Sequence, residues 1–195
     1  MMIKKIPFLF FVAVLFGFNF TFSQVKFEKE YRLKTSDVPK KALHIVTMWD
    51  FKKKVKWYAE ESQDGKTVEA KVCHNRNRIS LEFEENGTLI DVEKTVKFSD
   101  LEEDIQKNIE NTLSKKFKKF RFKKVQIQFI GDESAIYNEI FNLKSHHKKI
   151  IPKYEIIVKG KKEKRYQNFE ILFNRKGEIE KELLIKSSDS TNLEF

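Results

Sequence analysis

Apolar and polar residues alternate with period two through much of the chain. Val55/Trp57/Ala59, Val68/Ala70/Val72 and Ile79/Leu81/Phe83 alternate with Lys, Glu, Thr and Ser, and Val125/Ile127/Phe129 and Phe169/Ile171/Phe173 repeat the pattern. Such alternation predicts antiparallel strands with one covered face and one wet face. Asn86-Gly87 and Asp64-Gly65 are strong hairpin signals, and Lys176-Gly177 is a weaker one. Two segments carry the helical period instead. Leu101, Ile105, Ile109, Leu113 and Phe117 recur every four residues, and Ser99 with Glu102 reads as a capping box before them. Val38, Ala42, Ile45 and Trp49 form a weaker face, capped by Ser36 or Asp37, with Pro39 tolerated only in the first turn.

The order of these elements repeats. Ser36-Asp37-Val38 and Ser99-Asp100-Leu101 each open a helical pattern, followed by a Phe/Lys-rich stretch, strands around a Glu (Glu69, Glu155) and a hairpin ending at Gly87 or Gly177. The expected fold is α+β: two tandem units, 36–97 and 98–186, each one helix packed on an antiparallel meander of about four strands. The second unit carries an insertion near 131–151, where Ile136/Ile140/Leu143 fit a helix and Ala135/Tyr137/Phe141/Leu143 fit a strand equally well. Residues 24–35 read as a lead-in and 187–195 as a flexible tail.

Residues 1–23 read as a secretory signal peptide. Lys4 and Lys5 are its charged start, Ile6 to Phe18 its apolar run, and Thr21 and Ser23 its small residues before cleavage at Gln24. Removing those 23 residues, which carry two lysines and no acid, takes the chain from 195 residues to 172 and its net charge from +10 to +8. The expected location is therefore periplasmic or secreted. No second apolar run of spanning length follows. The single Cys, Cys73, excludes a disulfide framework.

The layout resembles the PepSY-like family of small exported bacterial proteins, whose fold is akin to beta-lactamase inhibitor proteins. The resemblance is carried by Asp37-Val38-Pro39, Val55-Lys56-Trp57-Tyr58, Gly65-Lys66-Thr67-Val68-Glu69, and the run from Ser80 to Leu89. It covers nearly all of 36–96 and both ends of the second unit. It implies a non-enzymatic exported module that binds or inhibits another protein, with no catalytic residues.

Candidate chemistry is sparse. The run Lys115 to Lys124 is seven-tenths basic with Phe117, Phe120 and Phe122 interleaved, a composition that suits a polyanion. Its recurrence at the matching place in the first unit favours a feature of the unit, with lysines complementing a helix C-terminus and Phe turned inward. His146-His147 and Cys73-His74 are the only plausible metal donors, and neither has ligand spacing, so no metal or cofactor is expected. Cys73 reads as a half-buried strand residue. Glu84-Glu85 and Glu102-Glu103-Asp104 sit at a turn and a helix start, where acids are ordinary. No phosphate loop or nucleophile elbow is present.

The remaining candidate is the sheet face away from the helices, which should show Lys56, Tyr58, Lys71 and Arg78 from the first unit and Lys124, Gln126 and Gln128 from the second. A concave basic face with an aromatic suits an acidic loop of another exported or envelope protein. The leading reading is a non-enzymatic binding module using this face. The alternative is a polyanion or envelope-surface binder using the basic faces, with nucleic acid a poor fit for an exported chain.

Overall fold

The computed structural model describes residues 24–143 and 150–185. The leader at 1–23, the His146-His147 pair and the tail at 187–195 lie outside the described residues. The strands are β1 (Gln24–Lys26), β2 (Glu28–Arg32), β3 (Lys56–Ser62), β4 (Gly65–His74), β5 (Asn77–Glu84), β6 (Leu89–Thr95), β7 (Phe120–Gly131), β8 (Ile150–Lys162), β9 (Arg165–Phe173) and β10 (Ile179–Ile185). The helices are α1 (Lys40–Met48), α2 (Glu103–Lys116) and α3 (Glu133–Ile140).

All ten strands belong to one sheet, ordered β1-β10-β9-β8-β7-β6-β5-β4-β3-β2. This overturns the expectation of two tandem helix-on-meander units: the molecule is built on one rolled, nearly closed, barrel-like sheet. Two pairings decide the matter. β6 pairs antiparallel with β7, Val92 opposite Phe129 and Thr95 opposite Gln126, so neither meander keeps a free edge there. The segment read as a lead-in supplies both outer strands. β1 pairs parallel with β10, while β2 pairs antiparallel with β3. Only Phe27 separates β1 from β2, so chain continuity brings the two edges of the sheet together. Ion pairs from Lys26 to Glu28, and from Lys181 to Asp64 at 2.6 Å, tie elements from the two sides of this seam.

Apolar residues face outward from the rolled sheet and are covered by helices. Ala42, Ile45, Val46 and Trp49 of the first helical segment pack on Trp57, Val72, Leu81 and Phe83. Ile105, Ile109, Leu113 and Phe117 pack on Ile156, Val158, Phe169 and Ile171. The insertion forms a helix, α3, capped by Asp132, whose carboxylate accepts from the Ala135 N–H at 3.0 Å. Ala135, Ile136 and Ile140 join the first apolar cluster, and Tyr137 and Phe141 pack on Trp49. The proposed Ser99–Glu102 capping box is absent. Ser99 lies in a 3-10 turn, Phe98–Asp100, where the Lys97 N–H donates to Asp100 Oδ2.

Helix α1 rests on the hairpin turn at Gly87, and α2 on the one at Gly177. Gly87 has φ +83°, and a Cβ there would stand 2.8 Å from the Ala42 backbone nitrogen. Gly87→Ala therefore combines left-handed strain with a clash against α1 backbone. A loss of about 2–4 kcal/mol is expected from the two effects together, read as a lower urea midpoint. A change below about 0.5 kcal/mol, the usual range for neutral surface substitutions, would show that α1 does not hold this turn.

Candidate functional site

The strand alternation that buries apolar side chains under the helices turns the opposite side chains into the roll. Trp57 and Ala59 face the helices, so Lys56, Tyr58 and Glu60 face the lumen. The same phase on neighbouring strands brings Glu69, Lys71, Ser80, Glu82, Asp91 and Glu93 inward. Two adjoining cavities result, sharing Glu69, Lys71, Ser80 and Lys124 as a common wall.

The first cavity, about 680 Å³, lies where β3, β5 and β7 begin and β4 and β6 end. Eight basic side chains and one acid, Glu69, line it. Lys56, Tyr58, Lys71, Arg78, Lys124 and Gln126, six of the seven residues expected on the open sheet face, are brought together here. Gln128 lies one step deeper, in the adjoining cavity. Lys56 and Arg78 are exposed, whereas Tyr58 is half-buried with the Lys71 ammonium 5.0 Å and the Arg32 guanidinium 5.5 Å from its ring centroid. Lys71 pairs with Glu30 and with Glu69, the latter at 3.1 Å. Burial opposes its charge, but these carboxylates outweigh that and raise its pKa. Cys73 is exposed on the same wall, not half-buried as expected, because its place in the alternation is that of Lys71.

The periodicity does not single out Lys53, Lys54, Lys97 and Lys123, which come from loops and a bulge in β7 and complete the basic mouth. Phe122 turns onto Phe98 in a stacked pair with centroids 4.0 Å apart. Within the conspicuous Lys/Phe run, Phe117 is buried and Lys116 pairs with Glu182. Lys115, Lys118 and Lys119 face outside solvent. That run therefore contributes Phe122, Lys123 and Lys124 to the mouth and divides its other residues between core and surface.

The second cavity, about 400 Å³, is acidic, with nine carboxylates against four lysines in its wall. Asp91 is 3% exposed; its Oδ2 accepts from Gln128 Nε2 at 2.9 Å, and its Oδ1 has no hydrogen-bond partner. Gln126, also 3% exposed, donates through Nε2 to Glu93 at 2.7 Å, and its Oε1 likewise has no partner. Burial pushes Asp91, Glu93 and Glu155 well above the carboxylate range, and their mutual repulsion pushes in the same direction. Glu60 is pushed up to about 9 by burial and by Glu28, Glu82 and Glu69. Of the four lysines, Lys26 stands at the seam of the roll. Lys26 pairs with Glu28 and, at 2.6 Å, with Glu170. Its burial works against the charge, yet Glu170, Glu155 and Glu28 raise its pKa. Glu69 and Glu155 were visible in the sequence as repeated strand residues. Their shared destination was not, because it depends on closure of the roll.

Among the described residues no group of three or more His, Cys, Asp or Glu has the arrangement of a metal site. No helix among them is long and apolar enough to cross a membrane. The chain matches no protein-family model, no curated protein and no solved structure.

Proposed function

We propose that the protein is an exported, non-enzymatic binding module that receives an acidic segment of another exported or envelope protein in its basic mouth. The observation that carries this reading is the 680 Å³ cavity lined by eight basic side chains and a single acid, with Tyr58 on its wall. Electrostatic focusing in such a concave site raises the local concentration of an anionic ligand and speeds its capture. The ammonium and guanidinium flanking Tyr58 position its ring as a flat apolar floor beside the charges. The leader-like start at 1–23 and the resemblance of the strand blocks to PepSY-like proteins support an exported binding role. The polyanion reading is weaker, because the exposed lysines at 115, 118 and 119 lie outside the cavity.

Charge reversal at the two exposed lining residues tests the proposal. Lys56→Glu with Arg78→Glu should weaken binding of an acetylated tetraglutamate peptide at least about tenfold, given about 1.5–3 kcal/mol per charge-assisted hydrogen bond, as read by calorimetry at physiological salt. The thermal midpoint should change little, since both side chains are exposed. Unchanged peptide affinity with unchanged retention on heparin would overturn the mouth and leave the outer lysines as the anion-binding surface.

A further inference from the structure

The acidic cavity adjoining the mouth has more carboxyl groups than lysines in its wall, and two buried acceptors, one on Asp91 in that wall and one on Gln126 in the wall of the mouth, have no donor. Asp91 Oδ1 and Gln126 Oε1 are each on a side chain 3% exposed, and neither has a donor. Buried acceptors of this kind are rare in folded proteins, and each calls for a donor. Lys26 and its carboxylates are satisfied among themselves. Lys124 acts on Glu93 and Glu155, so the deficit falls on Asp91 in the acidic wall and on Gln126 in the adjoining wall of the mouth. A metal ion is the wrong donor, because no tight trio of ligands is present among the described residues. An ammonium group has the right chemistry: three N–H donors, one positive charge and no demand for a fixed coordination polyhedron.

A bare cation entering through the basic mouth would be repelled there. A ligand that brings its own negative charge would not. The two cavities share a wall at Glu69, Lys71, Ser80 and Lys124, so one elongated ligand can occupy both. We propose that the lumen takes a dipolar segment, with an acidic stretch held at Lys56 and Arg78 and a primary ammonium, three residues further along, seated where the two cavities adjoin, against Asp91, Gln126 and Glu155. This rests on the reading of the mouth as an anion site and adds the second half of its specificity. A segment of five residues, about 17 Å when extended, is long enough to place opposite charges at the two ends.

Three peptides test it on the full protein by calorimetry at physiological salt. The parent is acetyl-Glu-Glu-Gly-Gly-Lys-amide. The second carries an acetyl group on the lysine amine, and the third has both Glu replaced by Gln. The parent should bind one to one, and acetylation of the amine should weaken it about tenfold or more, the scale of a lost charge-assisted hydrogen bond to a buried partner. In the Asp91→Asn, Glu155→Gln double variant the parent and the amine-acetylated peptide should bind equally. A parent no tighter than its amine-acetylated form on the unmodified protein overturns the ammonium site and leaves the mouth standing. A Gln peptide as tight as the parent overturns the mouth. Failure of all three peptides to bind overturns both. The peptide comparison needs no substitution in the protein, so a variant that fails to fold does not blunt it.

Discussion

Lys26→Met should destabilise the protein by about 3–5 kcal/mol at pH 8, the usual consequence of removing one partner of a buried ion pair. Lys26 sits on the three-residue strand β1 and holds Glu170 of β9 at 2.6 Å and Glu28 of β2 from the other edge of the sheet. Its side chain and those of both partners are less than a quarter exposed. Met keeps the aliphatic stem, so the loss reports the charge and not the packing. The carboxylates left behind lose the ammonium that pairs them and must neutralise by taking up protons. The deficit should therefore shrink when the urea midpoint is measured at pH 5. A Lys26→Met protein within about 0.5 kcal/mol of the parent at pH 8, the neutral range, would mean that chain continuity through Phe27 alone holds the seam.

That seam marks the boundary of what could be read from the residues. The facing of individual strand residues was legible, because period-two alternation in a half-buried strand leaves one register only. Trp57 against Tyr58, Ala70 against Lys71, and Val125 against Gln126 each divide between the helix side and the lumen, as their polarity requires. Six of the seven residues grouped on this basis meet around one cavity. Closure was not legible. It depends on β6 meeting β7 and on β1 running parallel to β10, two long-range pairings that carry no local signal. The stretch Gln24 to Arg32 shows the difficulty directly. Val25, Phe27 and Tyr31 alternate as one short strand would, yet the chain crosses from one edge of the sheet to the other at Phe27.

The charge distribution follows from the same closure. A flat sheet would have left the Glu-rich and Lys-rich stripes equally wet, with nothing beyond a solvated surface to explain. Rolling the sheet gathers carboxylates from seven strands around one cavity and leaves the basic excess at the mouth and outside. The insertion was ambiguous for a different reason. Its run is short enough to satisfy both periods, and its helical state is fixed by the Asp132 cap and by packing of Tyr137 and Phe141 on Trp49. Both are tertiary or end effects that periodicity does not contain.

The confined carboxylates give stability an unusual dependence on pH. Glu60, Glu82, Asp91, Glu93 and Glu155 all have pKa values raised by burial first and then by neighbouring carboxylates. The folded state therefore binds more protons than the unfolded chain at pH values above their ordinary range, and stability falls as pH rises through that interval. For Glu60 the interval runs from the ordinary 4.5 to about 9. Glu28 acts in the opposite sense: burial is outweighed by Lys26, its pKa is lowered, and its contribution is lost only as pH falls below the ordinary 4.5. Lys26 and Lys71, both raised above 10.5, keep their contributions until strongly alkaline pH. The sum predicts greatest stability near pH 5 and a steady fall toward pH 9, with the thermal midpoint dropping by several degrees per kcal/mol lost. Glu60→Gln with Asp91→Asn, which makes two of these groups permanently neutral, should raise the midpoint at pH 9 and leave that at pH 5 almost unchanged. A parent protein whose thermal midpoint is flat or rising from pH 5 to pH 9 would show that the lumen does not hold its carboxylates protonated. The acidic wall would then be ionised and compensated from within the fold.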